Sequence, residues 1–143
     1  MVTVGLITTP EVPSPVTYVV IATRYGGGWL FVRHRKRGGY ELPAGHPDMG
    51  EDSVEAAVRE LMEETGALDF TLEPVTYYYI DTGTGKKFGR LFLASVDTLG
   101  EITDKHEIEG VKVFRRLPRD LSLSEVMTFL YRTAAGYIRY TQY

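Results

Sequence analysis

The sequence predicts an α+β fold in which a mixed β-sheet is sandwiched by helices. Several short segments alternate apolar and polar residues with a period of two, and two longer segments repeat apolar residues at helical spacing. The predicted order is strand, strand, helix, strand, strand, strand, helix. Because strands and helices do not alternate one by one, this order excludes the alternating βαβ architecture of many nucleotide-binding folds.

The predicted strands begin with a hairpin near the start of the chain. β-Branched and aromatic residues alternate from Thr17 to Thr23, glycines occupy positions 26–28, and an apolar run resumes from Trp29 to Arg35. A second hairpin turns at the two glycines of residues 82–85. The remaining predicted strands are Tyr40–Leu42, Val75–Asp81, Phe88–Ser95 and Val111–Arg115.

Two capping patterns mark the predicted helices. The first helix covers Asp52–Thr65, with a capping box formed by its first residue and Glu55, and it ends at Gly66, which suits the left-handed conformation. Ser122 and Glu125 predict a second capping box at the start of a C-terminal helix. Its apolar positions are Val126, Phe129, Leu130, Ala134 and Ile138.

The composition predicts one soluble globular domain covering residues 1–143, with 43% hydrophobic and 24% charged residues. Cysteine is absent, which excludes disulfides and thiolate metal sites and is compatible with a reducing cytoplasm, where we expect the protein to act. The 16 basic and 19 acidic residues give a net charge of −3, which provides no general attraction to nucleic acids or anionic membranes. No apolar run approaches the roughly 20 residues that a membrane span needs.

Three carboxylates share one face of the first predicted helix. At about 100° per residue, Glu64 lies about 40° to one side of Glu60 and Glu63 lies about 60° to the other, with Ala56 one turn earlier. We expect a separate face to pack on the sheet, which would leave the acidic face exposed. The residues of that packing face are Val54, Ala57, Val58, Leu61 and Thr65.

The negative charge on the acidic face of the first predicted helix requires a compensating cation. Arg59 offsets part of the repulsion, but one guanidinium cannot neutralise Glu60, Glu63, Glu64 and the nearby Glu51. Oxygen ligands on one rigid face suit Mg²⁺ or Mn²⁺, and Mg²⁺ takes its remaining ligands from water and phosphate. Taken alone, an acidic helix face is more often a solvated surface than a metal site. The spacing of the surrounding residues must therefore decide between the two.

Glycines in front of the helix complete a longer pattern. Gly45 and Gly50 permit backbone conformations that other residues resist, and they can direct the Ala44 carbonyl toward a metal. The full spacing is Gly45, five residues, Glu51, seven residues, Arg59-Glu60-Leu61, one residue, Glu63-Glu64, one residue, Gly66. This spacing resembles the Nudix box, the signature of the Nudix hydrolase family (MutT-like). It departs at Ala67, where a larger aliphatic residue is usual, and at Ala44, where glycine is frequent.

The resemblance implies the Nudix fold, an α/β/α sandwich, and hydrolysis by attack of water on phosphorus. It implies a small-molecule substrate, a nucleotide or nucleoside diphosphate derivative in which the diphosphate is linked to another moiety, and Mg²⁺ or Mn²⁺ as cofactor. Arg59 and Glu51 would form an ion pair that orients the site. The implied metal ligands are the Ala44 carbonyl, Glu60, Glu63 and Glu64.

The identity of the general base stays open between two residues. Glu60 is the candidate within the box. Glu107, which precedes the strand containing Phe114, resembles an acidic residue that the family places ahead of a late strand, although an exposed strand-edge carboxylate explains it equally well. Glu109 is the fallback, because alternation would put it on the same side of the strand.

The residues that contact the substrate are less well marked. Basic clusters offer Arg33, Arg35 and Arg90 for phosphate oxygens, and Tyr79 offers a ring for a base, with solvated charge and ordinary packing as the alternative explanations. The first choice of function is a nucleoside triphosphate pyrophosphohydrolase. The alternatives are a non-catalytic nucleotide sensor and an RNA 5′-end pyrophosphohydrolase. The oligomeric state stays open, a homodimer included.

Overall fold

One eight-stranded sheet organises the structure, a computed structural model that describes residues 1–141. The strands are β1 (Thr3–Leu6), β2 (Val16–Tyr25), β3 (Gly28–His34), β4 (Tyr40–Glu41), β5 (Ala44–Gly45), β6 (Ala67–Asp81), β7 (Lys86–Leu99) and β8 (Ile108–Phe114). The helices are α1 (Ser53–Thr65) and α2 (Ser124–Thr141). In the described part of the chain, neither helix is long and apolar enough to cross a membrane.

The sheet is mixed, which confirms the predicted α+β class. Its main path runs β1-β6-β7-β2-β3-β4, with β5 paired to β2 and β8 paired to β3. The β2–β7 pair is parallel, and the other pairs are antiparallel. The parallel pair joins the hairpin that precedes α1 to the long β6–β7 hairpin that follows it.

Strand β2 shows how the two helices cover opposite faces of this sheet. Val19 and Ile21 pack in the cluster that contains Leu61 of α1. Val20, which points to the other face, packs in the cluster that contains Met127 of α2. All five side chains are fully buried. Helices on both faces of one sheet make the predicted α/β/α sandwich.

The strand pattern predicted from the sequence is incomplete at the edges. Strand β1 was not predicted, because its four residues are exposed or half-buried and show no clean alternation. It pairs with β6, and Gly5 lies directly against Tyr79, where a Cβ would come 2.6 Å from the phenol oxygen. Strands β6 and β7 are also longer than predicted, and in residues 67–74 of β6 the alternating Leu68, Phe70 and Leu72 were a strand signal that the prediction overlooked.

The helix caps were predicted correctly for α1 and wrongly for α2. At α1, the Asp52 carboxylate accepts the Glu55 N–H at 2.8 Å, and the reciprocal bond completes the capping box. At α2 the described chain lacks the predicted box of Ser122 and Glu125: the helix begins at Ser124, and the Ser122 hydroxyl accepts the N–H of Gly39 at 2.8 Å.

Candidate active site

The acidic face of α1 is turned into the protein, which corrects the expectation that it is exposed. Glu60 and Glu64 are only 9% and 4% exposed, and Ala56 at the start of this face is fully buried. Val54, predicted to pack on the sheet, is instead 45% exposed. Because the side chain of Ala56 is small, this face of α1 packs close to the sheet. The Glu60 and Glu64 carboxylates therefore lie beside β5.

Strand β5 meets the two buried carboxylates directly. The Ala44 N–H donates to Glu64 Oε1 at 3.0 Å. At Gly45, a Cβ would lie 2.2 Å from the carboxyl carbon of Glu60. The backbone of Gly45 is outside the left-handed region, so this glycine provides space rather than conformational freedom, contrary to the prediction. Gly50, with φ of 82°, does have the predicted conformational role.

Arg59 holds the acidic side chains in place. Its guanidinium binds Glu51 through two bonds of 2.7 and 3.0 Å, and it donates to Glu60 at 2.9 Å and to Glu63 at 3.2 Å. A further bond of 3.1 Å reaches the carbonyl of His46. The hydrogen bond with Glu51 raises the pKa of Arg59 and lowers the pKa of Glu51, so both stay charged. The ion pair expected between these two residues is therefore present.

A second acidic segment reaches the site from the loop between β7 and β8. The N–H groups of Thr103 and Asp104 both donate to the carbonyl of Glu63, at 3.2 and 3.1 Å, which fastens the loop to the end of α1. Carboxylate oxygens of Glu64, Asp104 and Glu107 lie within 4.8 Å of one another. We call the combined group the carboxylate cluster: Glu60, Glu63, Glu64, Asp104 and Glu107. It borders an open cleft of about 590 Å³.

Sequence reasoning missed Asp104. The residue lies only three positions before Glu107, so the short run from 104 to 107 contained the signal. The loop turns back on itself between them, with the Ile108 N–H donating to the Asp104 carbonyl at 3.1 Å. That turn brings the two carboxylates to the same place.

The electrostatics of the carboxylate cluster fit a divalent cation. Burial raises the pKa of Glu60 to about 7 and that of Glu64 to about 9, with Glu60 and Asp104 adding to the effect on Glu64. Within the cluster Arg59 donates to Glu60 and Glu63, whereas Glu64 accepts the uncharged Ala44 N–H, so a cation would stabilise the ionised form of Glu64. Oxygen donors alone, with two of them withdrawn from water, suit Mg²⁺ or Mn²⁺.

Glu107 and Glu109, the candidates for the general base near β8, have different surroundings. Glu107 precedes the strand and lies in the carboxylate cluster, with Oε2 3.7 Å from Nε2 of the buried His34. Glu109 lies 3.7 Å from Arg33 instead. The register of β3 and β8 shifts between residues 33 and 34, which breaks the alternation that would have put both glutamates on one side.

The arginines predicted on β3 have structural partners. Arg33 donates to Asp120 at 3.1 Å and its guanidinium lies 5.2 Å from the centre of the Tyr40 ring. Arg35 donates to the carbonyl of Lys105 at 2.9 Å, within the loop that carries Asp104. Within residues 1–141, neither side chain bonds to a carboxylate of the cluster. Arg35 therefore stabilises the loop that carries Asp104.

The other two predicted substrate contacts lie along the β6–β7 hairpin. The Tyr79 ring has the ammonium of Lys86 4.3 Å from its centre. Arg90 stacks on Tyr77 at 4.6 Å and donates to the hydroxyl of Ser53 at 3.0 Å, at the start of α1. In the described chain, neither side chain bonds to the carboxylate cluster.

Comparison with known proteins identifies the family. Residues 13–125 match the family model described as the NUDIX domain. The chain belongs to the Nudix family. Its Nudix relatives include a Bacillus subtilis protein named "Putative 8-oxo-dGTP diphosphatase YtkD", which is 33% identical over 113 residues, or 79% of this chain and 71% of that protein. The resemblance predicted from the box is thereby confirmed.

Solved Nudix structures show the same fold. The pyrophosphohydrolase BsRppH of Bacillus subtilis matches with a TM-score of 0.82 and 25% identity, covering 99% of this chain and 92% of that one. A MutT Nudix hydrolase from Burkholderia pseudomallei matches with a TM-score of 0.68 and 20% identity, covering 85% and 98%. Relatives named as diphosphatases and pyrophosphohydrolases make this Nudix protein a hydrolase of phosphorus-containing acid anhydrides.

Proposed function

We propose that this Nudix protein cleaves a phosphoanhydride bond in a nucleoside diphosphate linked to another moiety. Our first choice of substrate is a nucleoside triphosphate, which water would split into a nucleoside monophosphate and pyrophosphate. The carboxylate cluster carries the proposal, because Glu60 and Glu64 are buried carboxylates whose ionised forms a divalent cation would stabilise. The name of the Bacillus relative, "Putative 8-oxo-dGTP diphosphatase YtkD", supports the same substrate class.

The proposed metal ligands are those implied by the box, joined by the loop. Glu60, Glu63, Glu64 and the Ala44 carbonyl would hold Mg²⁺ or Mn²⁺, with further oxygens from Asp104 and Glu107. When bound, the cation would neutralise charge on phosphate oxygens and lower the pKa of the attacking water. The protein supplies a rigid frame for it, since Arg59 and Glu51 fix the carboxylates before substrate arrives.

The reaction also needs an acceptor for one proton. As the water oxygen forms its bond to phosphorus, the bridging oxygen leaves and a carboxylate takes the released proton. Glu60 is our first choice, because it lines the cleft and Arg59 fixes one of its oxygens at 2.9 Å. Glu107 is the alternative, and it also lines the cleft.

A substrate panel tests the proposal. With Mg²⁺, we expect pyrophosphate release from at least one nucleoside triphosphate, with nucleotide sugars and dinucleotides in the same panel. Glu60→Gln and Glu64→Gln should each lower kcat by orders of magnitude in a folded protein, while the exposed Glu101→Gln should retain activity. Near-normal turnover in either of the first two variants would refute the site. Nucleotide binding without any release would favour a sensor.

A second candidate is hydrolysis at the 5′ end of RNA, for which the exposed Lys86 and Lys87 at the start of β7 offer contacts to the RNA backbone. The net charge of −3 provides no general attraction for RNA. A triphosphorylated oligonucleotide compared with its free nucleoside triphosphate decides between the two candidates. Faster pyrophosphate release from the oligonucleotide would make RNA the preferred substrate.

A further inference from the structure

The outer edge of β1 is an uncharged strand edge that has no neighbouring strand. Strand β1 lies at one end of the sheet, and in the described chain its only strand partner is β6. Its residues, Thr3–Leu6, include no charged residue and no proline, and its register with β6 has no bulge. Proteins commonly use such features to protect a free edge. Strand β8, which pairs with β3, does carry exposed charges at Glu109 and Lys112.

The hydrogen bonds of β1 show which of its backbone groups are free. The Ile7 N–H donates to the Tyr77 carbonyl at 3.0 Å, and these two residues continue the register of β1 and β6. Because bonded and free residues alternate along an antiparallel strand, Gly5 also bonds to β6, whereas the N–H and C=O groups of Val4 and Leu6 point away from it. The side chain of Leu6 is 40% exposed. Val4 and Leu6 therefore offer donors and acceptors to a further antiparallel strand.

Helix α2 presents a charged stripe beside this edge. A groove of about 630 Å³ next to Val4 is lined by four residues that we call the α2 stripe: Glu125, Thr128, Phe129 and Arg132. At this spacing they lie on one side of the helix. Glu125 and Arg132 are exposed, and within residues 1–141 neither has an ion-pair partner. The stripe thus has a free acid at one end and a free base at the other.

One two-fold axis perpendicular to the sheet would use the strand edge and the α2 stripe together. It would pair β1 with β1 of a second copy in antiparallel orientation and keep both α2 helices on the same face of the extended sheet. With Gly5 opposite Gly5, Val4 of each copy lies opposite Leu6 of the other, and each such pair exchanges two backbone hydrogen bonds. The two α2 stripes then run in opposite directions, so Glu125 of each copy faces Arg132 of the other.

We propose that the outer edge of β1 and the α2 stripe form the interface of a two-fold symmetric dimer of this chain. Strand pairing over four residues is short, so the interface also depends on the α2 stripe. A second copy is the partner because the order of charges along the stripe, acid then base, is complementary to its own reverse. The inference does not rest on the proposed function, since none of these residues belongs to the carboxylate cluster.

Sedimentation velocity over a range of protein concentrations tests the proposal. The wild type should change from monomer to dimer with a dissociation constant of about 10 µM, as expected for a small interface. Amide hydrogen exchange provides a local measurement. The Val4 and Leu6 amides should exchange slowly in concentrated protein and faster on dilution, whereas the Gly5 amide, which bonds to β6, should not depend on concentration.

Variants at the strand edge and on the stripe test the two parts of the interface. Leu6→Pro removes an outward N–H and leaves the bonds to β6 intact, so it should raise the dissociation constant at least about tenfold with little change in Tm. Glu125→Arg and Arg132→Glu should each weaken the dimer to a similar extent, because each places like charges opposite one another. Asp97→Arg, an exposed position at the far end of β7, is the control for net charge and should dimerise like the wild type.

Combining the two charge reversals distinguishes contact between copies from structural damage. Glu125→Arg with Arg132→Glu restores opposite charges across the axis, so the double variant should regain dimerisation that each single variant loses. Within one helix these positions are about 10 Å apart, too far for a direct ion pair.

Three results would overturn the inference. The first is a wild type that stays monomeric at millimolar concentration. The second is a dimer that neither Leu6→Pro nor the charge reversals weaken, because the copies would then associate through another face. The third is protection of the Val4 and Leu6 amides that does not change on dilution, which would assign the edge to a contact within one chain. None of these measurements needs hydrolysis, so each outcome is separate from the test of the proposed function.

Discussion

Replacing Glu64 by glutamine is expected to stabilise the metal-free protein at neutral and alkaline pH. The Glu64 carboxyl is 4% exposed, and burial raises its pKa from 4.5 to about 9. Between these values the folded chain keeps a proton that the unfolded chain has released. Because the unfolded state then binds fewer protons, raising the pH favours unfolding.

The size of the effect follows from proton linkage. A difference of one bound proton changes the free energy of unfolding by about 1.4 kcal/mol per pH unit. From about pH 6.5 to about pH 8.5, Glu64 should therefore lower the stability by about 3 kcal/mol, or roughly 10 °C in Tm for a chain of this length. Glutamine does not titrate, and its amide oxygen can still accept the Ala44 N–H. The variant should lose most of this pH dependence.

Thermal unfolding followed by circular dichroism, with a chelator and with Mg²⁺, provides the measurement. The wild type should lose Tm with rising pH in the chelator and regain it in Mg²⁺, while Glu64→Gln should change little in either condition. Glu63→Gln is the matched control, because the Glu63 side chain is 41% exposed and already paired with Arg59. If Glu64→Gln loses Tm with pH as steeply as the wild type, the burial argument is wrong.

Two further variants test the parts of the site that the box does not contain or explain. Asp104→Asn should lower the affinity for Mg²⁺ and reduce kcat at least tenfold, whereas the exposed Asp97→Asn should do neither; calorimetric Mg²⁺ titration and pyrophosphate release measure both. Gly45→Ala should displace the Glu60 carboxylate and reduce kcat by about two orders of magnitude with little change in Tm, and normal turnover would show that the close contact has no catalytic consequence.

The Nudix box could be recognised from the sequence because its functional residues lie close together in the chain. Arg59 and the three glutamates lie on one helix, so helical geometry relates their directions, and Glu51 lies in the loop directly before that helix. The capping box of Asp52 and the left-handed Gly66, with φ of 77°, follow from the same short-range physics. None of these features depends on how the rest of the chain folds.

Most of the features that were not predicted depend on contacts between residues far apart in the chain. Helical periodicity correctly put Ala57, Leu61 and Thr65 on a buried side of α1, but it does not reveal that the neighbouring acidic face is buried as well. Asp104 needs the loop to fold back onto the end of α1. Ser122 bonds to Gly39, 83 residues away, and no local pattern reveals that use.

The acidic face of α1 was expected to be exposed but is buried, and this burial explains why the site is suited to a cation. A solvated row of glutamates would be hydrated, with little reason to bind a divalent ion tightly. Here Glu60 and Glu64 are withdrawn from water, so ionising them without a cation is unfavourable, as their raised pKa values show. The same burial that lowers the stability of the metal-free protein above neutral pH therefore favours metal binding, because the ion restores the stabilisation that water no longer provides.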